Sequence, residues 1–193
     1  MEEEMSVRAY LYSVRFYLLF VSALFVGSIF VGYAGFMSGL FSAPLEWIQK
    51  LSQGVEDFTQ LYPAWLIFLA VFTLIFLNNA FTCFIDILLG PLLGLFPLFS
   101  AFLNGGLIGW FAQEEGLFVL LAIVPHGIFE IPALLLSAAI GLRLGREVLR
   151  QRAERRLKRE LQTGLRVFLR LVLPLLFVAA LIESGLIVAT FFL

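Results

Sequence analysis

Residues 16–36 read FYLLFVSALFVGSIFVGYAGF and carry no charged side chain. About 20 such residues wound as an α-helix cross the hydrocarbon core of a bilayer. Backbone amides in that core find no water, so runs of this kind are confined to helices or to a closed barrel. Barrel strands alternate apolar and polar residues, and these runs do not. The chain therefore reads as an all-α, polytopic transmembrane helical bundle. Composition agrees: 61% of residues are hydrophobic and 14% charged, where soluble domains stand at about half and roughly a quarter. Nothing resembles a soluble catalytic domain. No cofactor is expected.

Apolar runs predict about five spans, near 16–36, 64–84, 98–111, 117–144 and 167–193, in a single membrane domain over 1–193. The first run is too long for a signal-peptide core and has no small-residue cleavage site, so it reads as a retained span. Between the first two spans, Leu45, Ile48, Leu51, Val55 and Phe58 recur at helical spacing after Pro44. That pattern predicts an amphipathic helix lying on the membrane. Gly90, Pro91, Gly94 and Pro97 break the pattern over 85–97. A tight or re-entrant connection is expected there, since irregular backbone at membrane depth must be buried in protein or line a cavity. The fourth span would be roughly 40 Å long as a helix, with a tilt or kink at Pro125 and Pro132.

Charge placement gives an orientation. Ten of the thirteen Lys and Arg residues fall between Arg143 and Arg170. The loop after span one carries Glu46, Glu56 and Asp57, and the turn after span three carries Glu114 and Glu115. The positive-inside rule makes 143–170 cytoplasmic and both acidic connections external. A multi-pass cell-membrane protein follows, its N-terminus cytoplasmic and its C-terminus outside. Leu149, Ala153, Leu157 and Leu161 recur every fourth residue among the basic ones, and Glu154 and Lys158 form an i, i+4 pair. Span four is thus expected to run on as a basic amphipathic cytoplasmic helix. Its Arg146, Arg150, Arg152, Arg155, Arg156, Lys158 and Arg159 would meet anionic lipid headgroups or a membrane or peripheral protein partner. No aromatic residues interleave these charges, which argues against nucleic acid.

Polar groups at bilayer depth are costly and hence informative. Asn78 and Asn79 end span two, Asp86 follows it, and Asn104 sits in span three. His126 and Glu130 stand one helical turn apart in PHGIFEIP (125–132), and Glu183 lies in LIESGLIV. The expected arrangement is a buried cluster of Asn78, Asn79, Asn104, His126 and Glu130, with Asp86 and Glu183 as further members. Gly105 and Gly127 would admit close helix packing, and Pro132 frees a backbone carbonyl nearby. Gly-rich faces on spans three and four leave both packing within one chain and a homodimer open. Three roles suit the cluster. It is a hydrogen-bonded network fixing helix register, a proton or ion relay, or a metal site. In the last, His126 and Glu130 are two ligands and Glu183 or Asp86 a third. No catalytic residue is assigned.

LNN at 77–79, GPLLGLFPLFSAFLNGGLIGW at 90–110 and PHGIFEIPA at 125–133 together resemble the stage II sporulation protein M family. The resemblance is strongest over about 70–145. It implies an integral membrane protein without established chemistry. The family's best-known member sits in a membrane complex with cell-wall hydrolases, which it is held to anchor or organise during spore engulfment. Similar proteins occur in organisms that make no spores, so that role is not carried over. Asn78, Asn79, Gly105, His126, Gly127, Glu130 and Pro132 match the family's motif positions. The leading reading is a non-enzymatic scaffold or subunit of a membrane complex. The alternatives are an ion or small-solute transporter using the His/Glu/Asn cluster, and an intramembrane metalloenzyme.

Overall fold

A computed structural model describes residues 7–36, 38–40, 62–150 and 156–192. The helices are α1 (Val7–Tyr33), α2 (Ala64–Leu88), α3 (Leu95–Glu114), α4 (Val119–Val148), α5 (Leu157–Val167) and α6 (Leu173–Phe192). A π-helical segment, Phe168–Val172, joins α5 to α6. Among the described residues there is no strand, and five helices are long and apolar enough to cross a membrane, Leu157–Thr190 counting as one. The all-α bundle of five spans expected from the sequence is the observed fold.

The boundaries differ from those expected, each for a local reason. α1 begins at Val7, not Phe16, because its buried stripe of Tyr10, Val14, Val21, Phe25, Ser28 and Gly32 already starts there. Spacings of three, four and seven keep that stripe on one helical face. α2 runs on to Leu88, so the expected break over 85–97 contracts to a turn at 89–94. Leu93 and Gly94 turn the chain in left-handed backbone, at φ 57° and 71°. Pro97 lies in the first turn of α3, where its missing N–H would have had no partner in the helix. α4 stays helical through Pro125 and Pro132.

The expected basic extension of span four is divided. α4 ends at Val148, and the amphipathic basic helix is α5, the lead-in to span five. Residues 151–155, with the Glu154–Lys158 pair, and the surface helix expected after Pro44 lie outside the described residues. Two side chains of α4 turn the chain back. The Glu147 carboxylate accepts the Arg156 backbone N–H at 2.8 Å, and Arg143 pairs with Glu160 at 2.8 Å. Further on, Pro174 cannot donate to the carbonyl of Arg170. The ladder widens just before it, with the Leu173 N–H donating to Phe168.

α4 is the central element. It packs on α1, α2, α3 and α6, while α1 lies along α3 on one side and α2 along α6 on the other. Its buried face is largely small where helices meet: Ala133, Ser137, Ala138, Ala139, Gly141 and Gly145. Small residues let helix backbones approach where lipid offers no hydrophobic drive to associate. A methyl group at Gly141 would overlap the Asp86 carbonyl, and one at Gly109 the Ile29 carbonyl. Gly105 likewise sits against Phe25 and Ser28, so the glycine face of α3 is used within the chain, against α1.

Candidate functional site

His126 and Glu130 project from one face of α4 toward Glu183 on α6. One donor atom from each of the three lies within 4.8 Å of the others. All three line a cavity of about 220 Å³, closed further by Asn104, Phe111 and Phe25. The geometry follows from the packing: α4 lies between α6 and the α1–α3 pair, so its inward face looks at both. Gly127 brings no neighbouring helix close, since a side chain there would meet only Ile123 and Ile131 of its own helix. Its role is to leave cavity space between His126 and Glu130.

The three side chains do not form a hydrogen-bonded network. Among the described residues, neither Glu130 nor Glu183 makes a side-chain hydrogen bond, and the buried Nδ1 of His126 has no partner. Asn104 donates its amide to the Ser100 carbonyl at 2.9 Å, which leaves its own carbonyl oxygen uncommitted. An imidazole and two carboxylates thus converge without bonding one another. Such a donor set can hold a divalent cation or share protons. Two ligands on one zinc ion, at about 2.0–2.2 Å from it, stand roughly 3.3 Å apart. The donor atoms here lie within 4.8 Å of one another, wider than that spacing.

Other expected members lie elsewhere. Asn78 is exposed, with its amide 3.3 Å from the Asn79 carbonyl oxygen, and Asn79 is half-buried. Both are on α2, whose residues do not line this cavity. Pro132 is exposed. Asp86 forms a separate polar site. It is fully buried, accepts the Ser100 hydroxyl at 3.2 Å, and has no partner on Oδ1 among the described residues. The two sites are nonetheless linked through α3, because Ser100 bonds Asn104 through its carbonyl and Asp86 through its hydroxyl. Cys83 is buried and free.

A further polar assembly at the basic end escaped the sequence reading. Arg143 donates to Ser13 and to Glu160, and its guanidinium lies 4.9 Å from the centre of the Tyr10 ring. Arg146 donates to the Tyr17 hydroxyl at 2.7 Å. The available signal was the spacing of Tyr10, Ser13 and Tyr17, of which the first two precede the expected start of span one and the third lies in its first turn. Arg146, Arg150, Arg156 and Lys158 are exposed and Arg159 is half-buried, while Arg152 and Arg155 lie outside the described residues.

No curated protein and no solved structure matches the chain. The model of the family described as Stage II sporulation protein M matches residues 16–186, and with those residues covering most of the sequence the chain belongs to that family.

Proposed function

We propose that this protein is a non-enzymatic membrane subunit, a scaffold for a membrane or peripheral partner, whose interior binds a divalent cation at His126, Glu130 and Glu183. The carrying observation is the convergence of these three donors, unbonded to one another, on one cavity. Two carboxylates that face each other away from bulk water are relieved either by a proton on one of them or by a cation between them. One imidazole and two carboxylates suit Zn²⁺ or Mn²⁺ better than Mg²⁺, which keeps oxygen ligands and much of its water. The ion would tie α4 to α6 and so hold the bundle in one arrangement. Cys83 and Ser137 do not line the cavity, so neither offers a nucleophile beside His126.

Orientation follows from charge. The Arg-rich ends of α4 and α5 face the cytoplasm, and the Glu114–Glu115 turn faces outside. Glu130 lies about 16 Å along α4 from Val119 and about 20 Å from Arg143, the first of the basic residues, so on this reading the site stands near mid-membrane. The test is a titration of chelator-treated, detergent-purified protein with Zn²⁺ or Mn²⁺. At a hundredfold excess over Kd the melting temperature should rise by roughly 5–10 °C. Glu183→Gln should abolish the rise. A folded wild type that responds to neither metal overturns the reading.

A second reading, cation or proton passage, is favoured by the Asn104–Ser100–Asp86 contacts that lead away from the cavity. Here Asp86→Asn should stop flux in reconstituted vesicles while leaving metal binding intact. Absence of flux through the wild type discards it.

A further inference from the structure

The basic end of α4 meets the start of α1 across a groove of about 660 Å³. Its walls are of two kinds. Arg146, Arg150 and the carboxylate of Glu147 stand at the cytoplasmic end with Tyr17, while Phe16, Phe20 and Leu142 form an apolar wall. Phe16 and Phe20 are 67% and 56% exposed, so this wall faces outward and not into the bundle. The volume falls in the range of sites that hold small molecules, about 300–1,000 Å³.

The arginines here are not equivalent. Arg143 is spent within the protein, on Glu160, Ser13 and the Tyr10 ring. Arg146 gives one N–H to Tyr17, which fixes its guanidinium at the groove, and its remaining donors are exposed. A guanidinium carries five donors in a planar fork that suits phosphate oxygens. Arg150 lies one helical turn beyond Arg146 and is also exposed, although one of its nitrogens donates to Glu147 of the groove wall at 3.4 Å. α1 runs from these charges toward the bilayer interior, so Phe16 comes first and Phe20 a turn deeper.

From this arrangement we infer that the groove between α1 and α4 is a binding site for an anionic phospholipid. The headgroup phosphate lies on Arg146 and Arg150, and the upper acyl chain lies along Phe16, Phe20 and Leu142. Charge decides the class of lipid: interfacial arginines attract net negative headgroups and gain little from zwitterionic ones. The groove also places the aromatic residues where a chain leaving that headgroup must pass. This inference is independent of the cation site, with which the groove shares no residue.

The test is native mass spectrometry of the full chain in detergent, titrated with phosphatidylglycerol or with phosphatidylcholine. Phosphatidylglycerol should be retained in preference. Arg146→Gln with Arg150→Gln should weaken its binding by about thirtyfold. Phe20→Asn, which leaves every charge in place, should weaken it as well. Lys158→Gln with Arg166→Gln, two exposed cations outside the groove, should not. If the double arginine variant cannot be purified folded, Arg150→Gln alone at its exposed position should weaken binding by about fivefold. Equal retention of both lipids, equal losses in both double variants, or displacement of the lipid by millimolar inorganic phosphate would each overturn the inference.

Discussion

Asn78 and Asn79 are neighbours in the chain, yet α2 exposes the first and half-buries the second. A helix turns about 100° per residue, so adjacent polar residues cannot share a face. The sequence gives their depth but not which of them looks inward. Asn78→Leu should therefore change stability by no more than about 0.5 kcal/mol in a thermal melt. A larger loss would mean that this amide is buried against something. His126 and Glu130 were legible as a pair, because i, i+4 spacing fixes a shared face. Glu183 was legible as an ionisable group in an apolar run, but its partner was not, since no local pattern tells that α6 packs on α4. At Gly109 the constraint is steric: Gly109→Leu would drive a side chain into the Ile29 carbonyl. It should cost about 1–3 kcal/mol or more by the same measurement.

At the scale of elements, hydrophobic runs pointed to each of the five long apolar helices among the described residues, while most helix ends lie a few residues from the expected span ends. Span one began too late because its first turns mix Arg8, Tyr12 and Arg15 with the buried Tyr10 and Val14. The Gly- and Pro-rich run looked broken over a longer stretch than it is, because Pro97 is harmless in the first turn of a helix. The fold-back between α4 and α5 was hidden by its chemistry. It depends on Arg143 reaching Glu160, side chains only 17% and 11% exposed, and such a pairing has no local signature. Glu160→Ala should leave Arg143 partly buried without its counter-charge. The expected loss is about 1–3 kcal/mol, with faster amide exchange over 157–167. An unchanged melt would show that Ser13 and Tyr10 suffice to hold the turn.

At the scale of the whole molecule, α4 is both the packing hub and the carrier of the chemistry. Its small residues seat the other helices around it, and its His126 and Glu130 meet a third donor from α6. The proposed direction across the membrane, basic ends inside, is open to labelling. In a Cys83→Ser background, Glu115→Cys should react with an impermeant maleimide added to intact cells. Lys158→Cys should react only after the membrane is opened. The reverse pattern would invert the orientation.

The central claim is that His126, Glu130 and Glu183 hold one divalent cation. It is tested most directly by elemental analysis of the purified protein after exposure to Zn²⁺ or Mn²⁺ and removal of excess metal, wild type beside Glu183→Gln and His126→Ala. The account predicts near-stoichiometric metal in the wild type and its loss in both variants, with all three still folded. A folded wild type without metal, or variants that retain it, would contradict the claim.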